Sequence, residues 1–150
     1  MPKVFTSKSQ KIGKIGEDIV SRFIERNGFD VVSENMTFKY GEIDILAIDK
    51  EKRIHFIEVK SVRRDLSYTC NTEEGYRAEE NMDKKKIERL KRTILNQMSF
   101  KDSVLYKVLM DRVGDLYKEN DIVWQFDLVV VYLDIHNKKA KIKPFWNLII

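Results

Sequence analysis

Cysteine and histidine are nearly absent: Cys70, His55 and His136 are the only ones in 150 residues. An intrachain disulfide is excluded, and so is a zinc cage built from cysteines. Without a second inward histidine or cysteine, a zinc-hydrolase site fits poorly. With two prolines and six glycines, no Pro- or Gly-rich linker divides the chain. It has no internal repeat and no low-complexity tract. No apolar run is long enough to cross a bilayer, which argues against a membrane partner. The opening MPKVFTSKSQK lacks the apolar core of a signal peptide. A reducing, cytoplasmic setting is therefore expected. The length suits one domain over 1–150 with a real core.

Basic residues exceed acidic ones, 28 to 24, for a net charge of +4. Their distribution says more than the total. Lys3, Lys8, Lys11 and Lys14 precede the first acid, Glu17. Arg63 and Arg64 stand together, Lys84 to Lys86 form a block, and Lys138, Lys139, Lys141 and Lys143 cluster late in the chain. A polyanionic partner is one reading of this pattern, and a solvated surface is the other.

Periodicity predicts the order α-β-β-β-α-α-β with a final edge strand, a mixed α/β domain. Ile15, Ile19, Val20, Phe23 and Ile24 recur at helical spacing within 7–27, and Asn27-Gly28 supplies a stop. A short strand is expected at 29–33. Two more are expected at 41–48 and 53–60. The polar stretch 65–81 reads as a loop. Asp83 can cap a helix reaching Met98, with Ile87, Leu90, Ile94 and Met98 inward. An extra helix is expected at 103–118, with Leu105, Leu109, Val113 and Leu116 packed on the domain or on a second subunit. WQFDLVVVYL within 122–133 reads as a central strand. The last, 139–144, contains Pro144, which suits an edge.

The most informative segment is GEIDILAID, a charged turn, then RIHFIEVK. Asp44 interrupts Ile43, Ile45 and Leu46, and Glu58 and Lys60 end the run Ile54, Phe56, Ile57, Val59. A buried carboxylate is costly unless paired, hydrogen-bonded or metal-bound. Strand alternation puts Glu58 and Lys60 on one face. The turn Asp49-Lys50-Glu51-Lys52 is short enough for a hairpin that brings Asp44 beside Glu58 at a sheet edge. Hard cations such as Mg²⁺ take one or two carboxylates plus substrate phosphate. Spacing alone leaves two readings open, a metal site for hydrolysis and a structural ion pair of Glu58 with Lys60 or a neighbour.

Other polar residues carry weaker signals. Glu17 lies at the rim of the first helix's apolar arc and by position alone reads as an exposed first-turn acid. Lys86 reads as a surface lysine or a phosphate contact. Asp127, between Phe126 and Leu128, reads as structural. His55 alternates away from Glu58 and reads as a packed histidine. His136 falls in a polar turn and reads as solvated.

Gly16-Glu17, Asn35, Gly41-Glu42-Ile43-Asp44, Glu58-Val59-Lys60, Phe126-Asp127, and Glu79 to Leu90 with Lys86 before Arg89 together resemble the bacterial YraN family. That uncharacterised family has the fold of the PD-(D/E)xK nucleases, as in Holliday-junction resolvases and restriction enzymes. The resemblance covers about 11–133. GEID followed at this distance by a strand ending in EVK is specific, whereas a lone ExK is not. The resemblance implies that Asp44, Glu58 and the Val59 carbonyl bind metal, that Lys60 is catalytic, and that Glu17 is a helix-borne acid. Lys86 matches the family's helix lysine. Two departures stand out. Val62 occupies a position that is usually arginine, with Arg63 and Arg64 following, and the segment 102–120 is longer than the usual spacer.

The expectation is a restriction-endonuclease-like domain with Mg²⁺-dependent (or Mn²⁺-dependent) phosphodiester hydrolysis. Its partner is nucleic acid, expected to be DNA, contacted by Arg63, Arg64, Lys84 and Lys86. Junction resolvases of this fold imply a homodimer. The alternative is a non-catalytic nucleic-acid-binding module that retains the fold.

Overall fold

In the computed structural model, the residues described are 7–39, 41–64, 84–114 and 122–148. Eight elements follow one another: α1 (Lys8–Arg26), β1 (Asp30–Phe38), β2 (Gly41–Ile48), β3 (Ile54–Arg63), α2 (Lys84–Ser99), α3 (Val104–Val113), β4 (Trp124–Asp134) and β5 (Lys139–Leu148). The expected order holds. The predicted loop over 65–81, the Asp83 cap and the end of the extra helix beyond Gly114 lie outside the described residues.

Local chemistry fixes the boundaries. Ser7 and Gln10 form a reciprocal capping box at the start of α1, which satisfies amide donors that the first turn cannot. After Asn27 the chain leaves the helix through Gly28 at φ +87°, a conformation open to glycine. Asp49 closes the β2–β3 turn by accepting from the amides of Glu51 and Arg53. Ser103 caps α3 by accepting from the Tyr106 amide.

The five strands lie in the order β1-β2-β3-β4-β5. Only β3 and β4 are parallel. A parallel pair needs a crossover, and α2 and α3 lie in that connection. One face of the sheet packs Val20 and Ile24 of α1 against Ile45, Ala47, Ile57, Val129 and Val131. The other packs Leu90 and Ile94 of α2 and Leu105, Leu109 and Val113 of α3 against Leu46, Phe56 and Phe126. Each fully buried aliphatic or aromatic side chain contributes roughly 1.5–3 kcal/mol. α3 therefore uses its predicted stripe on the domain itself. β4 is buried over Gln125–Asp134, as expected of an internal strand.

Three boundaries differ from expectation. β1 runs to Phe38 rather than stopping near Ser33, because SENMTF pairs with GEIDIL of β2. β3 extends three residues past Lys60, held by its parallel ladder to β4. β5 continues through Pro144 to Leu148, which an outer strand tolerates because one side needs no amide donor.

Candidate active site at a fork in the sheet

The ladder between β2 and β3 ends at Ile45↔Ile57. Beyond it, β2 stays paired with β1 as far as Gly41↔Phe38, and β3 stays paired with β4 as far as Arg63↔Leu133. The sheet forks there, and Asp44 and Glu58 are the first residues past the last pair. The expectation of a sheet edge is corrected: the outer strands are β1 and β5, and the carboxylates lie inside the sheet. Alternation breaks at the same place. Ile43 packs in the core under α2 and α3, while Ile45, two residues on, packs under α1. Across on β1, Asn35 adopts φ 53°.

Asp44 is held by the strand it has left. Its Oδ2 accepts from the Val59 amide at 2.8 Å. A strand residue projects its N–H and C=O to the same side, so the Val59 carbonyl also opens into the fork. Glu58, 7% exposed, forms an ion pair with Lys86 of α2. That pair spans two layers of the fold.

The electrostatics are those of crowded carboxylates. Burial, then the charge of Glu58, push the Asp44 carboxyl up to about 8, with Glu17 adding to the effect and the Val59 amide opposing it. Burial works against the charge on Lys86, but Glu58, Asp44 and Glu42 together hold it above the ordinary lysine range. Carboxylates in mutual repulsion favour either a shared proton or a cation.

Glu17 reaches this place because of its neighbour. A Cβ on Gly16 would sit 1.8 Å from Ser61 Oγ of β3, so α1 lies against the strand at this turn. Glu17 is partly buried in the middle of α1, not in its first turn. The helix starts at Lys8, close to the expected boundary, so the reading of Glu17 as a first-turn acid is corrected.

Lys60 stands beside Val130 of β4, one alternation past Glu58. Arg63 ends β3 and is exposed. The Arg64 guanidinium lies 5.3 Å from the centre of the Tyr132 ring. Lys84 is exposed at the start of α2. The fork thus gathers Asp44, Glu58 and the Val59 carbonyl, with Glu17 approaching from α1 and Lys86 from α2. Arg63 and Arg64 sit farther along β3.

The donor set fits a hard divalent cation. Among the described residues, no group of three or more His, Cys, Asp and Glu side chains is arranged to hold a metal. Two carboxylates and a carbonyl, all oxygen donors, are what Mg²⁺ uses when water and phosphate complete its shell.

His55 belongs to a separate network on the α1 side, as its alternation predicted. Nδ1 meets Asp127 Oδ2 at 2.6 Å and Nε2 meets Asp49 Oδ2 at 2.8 Å. Asp127, fully buried, also accepts from Gln125 Nε2 and the Asn147 amide. Burial alone would lower the His55 pKa, but its two carboxylate partners raise it. Asp127 is therefore structural, as read from sequence. His136 lies exposed in the β4–β5 turn. The network's partners were missed, because they join residues as distant as His55 and Asp127 and only Asp49's place in the charged turn hinted at a cap.

A profile of the uncharacterised protein family UPF0102 matches residues 16–131. A UPF0102 protein of Campylobacter jejuni is 38% identical over 82 residues, covering 55% of this chain and 63% of its own length. One from Campylobacter concisus is 37% identical over 87 residues, covering 58% and 68%. One from Corynebacterium efficiens is 29% identical over 86 residues, covering 57% and 63%. The chain thus spans less than two thirds of the Campylobacter jejuni relative. The matched span includes the whole fork.

Proposed function

The chain belongs to the uncharacterised protein family UPF0102, and we propose that it is a nucleic-acid-binding, divalent-metal-dependent endonuclease with a PD-(D/E)xK-like core. The observation that carries this reading is the fork. There Asp44, Glu58 and the Val59 carbonyl are oxygen donors at one place, where burial and the neighbouring Glu58 make charge on Asp44 unfavourable.

Asp44 and Glu58 would hold Mg²⁺ or Mn²⁺, with the Val59 carbonyl as a third donor. Such a cation offsets charge on a phosphodiester and lowers the pKa of a bound water. Lys60, on the Glu58 face of β3, would orient the attacking water or offset phosphate charge. Glu17 would bind a second metal or a metal-bound water from the α1 side. Arg63, Arg64 and Lys84 would contact phosphates, with DNA as the proposed substrate. A homodimer and a cytoplasmic setting complete the proposal. No helix of the described residues is long and apolar enough to cross a membrane.

The test is a panel of labelled duplex, single-stranded, flapped and four-way-junction DNAs with Mg²⁺, Mn²⁺ or EDTA. Metal-dependent cleavage that is lost in Asp44→Asn and Glu58→Gln supports the enzyme. Binding without cleavage under every metal condition favours a module that keeps only the fold. That second reading has its own support, since Lys86 already neutralises Glu58.

A further inference from the structure

The register of β3, β4 and β5 extends the site's face into a basic surface. Side-by-side residues of neighbouring strands share a face. Glu58 stands beside Leu128, and Leu128 beside Phe145. The next row is Lys60, Val130 and Lys143, and the next Val62, Tyr132 and Lys141. Lys143 and Lys141 therefore lie on the same face as Glu58 and Lys60, two strands away, or roughly 10 Å. The intervening β4 residues are apolar and buried.

Two observations mark this surface as more than scattered lysines. Two of its cations are seated on rings: Lys143 Nζ lies 5.1 Å from the centre of Phe145, and Arg64 lies 5.3 Å from that of Tyr132. A cation over a ring keeps a fixed position while leaving its remaining donors outward. The outer strand also contributes charge of one sign: β5 contains no acid over KAKIKPFWNL, and its alternation sends Lys141 and Lys143 to this face while Ile142 packs under α1.

We infer that Lys141 and Lys143, with Arg64, form a phosphate-binding track that carries the nucleic-acid backbone from the fork across β4 to β5. The inference rests on the proposed nuclease reading and names where its substrate runs. Positive charge spread over exposed Lys141 and Lys143 and half-buried Arg64, rather than gathered at one point, suits a chain of phosphates rather than a single anion.

The test is fluorescence anisotropy with labelled DNA duplex over a range of salt, in EDTA so that cleavage plays no part. Lys141→Gln with Lys143→Gln should weaken binding several-fold. It should also lower the steepness of log affinity against log salt by about 1.8, at roughly 0.9 per lost phosphate contact. The control is Lys8→Gln with Lys11→Gln, which removes the same charge from exposed positions on α1, across the sheet. Equal effects of the two pairs would overturn the track and leave only net charge. No binding by the wild type would overturn the nucleic-acid reading together with the track. Binding of poly-glutamate as tight as DNA, and lost in the same variant, would overturn nucleic acid as the occupant. Thermal melts confirm folding, and each single Gln variant repeats the test if the pair does not fold.

Discussion

Gly16 of α1 and Ser61 of β3 are in such close approach that a Cβ at Gly16 would meet Ser61 Oγ at 1.8 Å and its Cβ at 3.1 Å. A helical glycine ordinarily costs about 1 kcal/mol against alanine. Here the alanine has nowhere to go without moving half-buried Ser61, whose buried Oγ has no hydrogen-bond partner among the described residues. Gly16→Ala should therefore destabilise the fold by about 1–3 kcal/mol, the usual cost of overpacking. Gly16→Ala with Ser61→Ala should recover part of that loss. Denaturant melts of the two singles and the double measure the coupling. Gly16→Ala that stabilises would show that α1 sits farther from β3.

Asp44 should make the protein less stable as pH rises through neutrality. Its folded pKa, about 8, is raised from the ordinary aspartate value of 3.8, so the folded state binds more protons than the unfolded one between these values. Stability from this group is fully present below about pH 4 and is lost as pH climbs to about 8. Asp44→Asn keeps an oxygen for the Val59 amide and removes the charge. It should be more stable than wild type at pH 8, with the gap closing toward pH 4. A tenfold change in proton affinity is about 1.4 kcal/mol. The gain should be of that order or a few times larger. Melts across pH in EDTA check the sign, and a variant less stable at pH 8 refutes it.

The His55 network should lose stability on both sides of neutrality, through His55 as pH rises and through Asp49 as pH falls. The folded pKa of His55 is raised, so its contribution is present below the unfolded value of about 6.5 and is lost as pH rises through the folded one. Asp49 is lowered, chiefly by its bond to His55 acting against burial. Its contribution is lost on acidification through its folded pKa. Asp127→Ala removes the fully buried anchor and should cost roughly 3–5 kcal/mol, as for other broken buried pairs. It should also reduce the His55-dependent loss of stability at alkaline pH, with the remainder carried by Asp49. Urea melts at pH 6 and pH 9 on both proteins give the comparison.

Local chemistry made the hairpin and the carboxylates legible. Alternation in GEIDILAI and IHFIEVK, with a charged turn between, fixes both strands and brings Asp44 to Glu58. The fork was not legible, because it depends on β4 leaving its helical crossover to lie beside β3. The end of β1 was hidden by its polar sequence and by Asn35 in a left-handed conformation. Alternation placed His55 away from Glu58 but could not name Asp127 as its partner. Nor does any local pattern reveal that Lys86 reaches Glu58, since the pair joins a strand to a helix in the opposite layer.

Lys86 and a divalent cation should compete for Glu58. The Lys86 ammonium pairs with that carboxylate, and the charges of Asp44 and Glu42 also favour it. A cation that binds Asp44 and Glu58 must displace the ammonium or share the carboxylate with it. Lys86→Met removes the competitor while keeping the aliphatic stem. The side chain is 52% exposed, so screening limits its effect. A gain in Mn²⁺ affinity of about tenfold, near 1.4 kcal/mol, is the expected scale. The apo protein should lose some stability in the same variant, because Glu58 is left buried without its partner. Isothermal titration with Mn²⁺ and melts in EDTA measure the two effects separately. If Lys86 instead assists cation binding, for example by holding Glu58 in place, the variant will bind Mn²⁺ more weakly. Asp44→Asn should abolish binding in either background. An affinity untouched by both substitutions would mean that the cation does not bind at the fork.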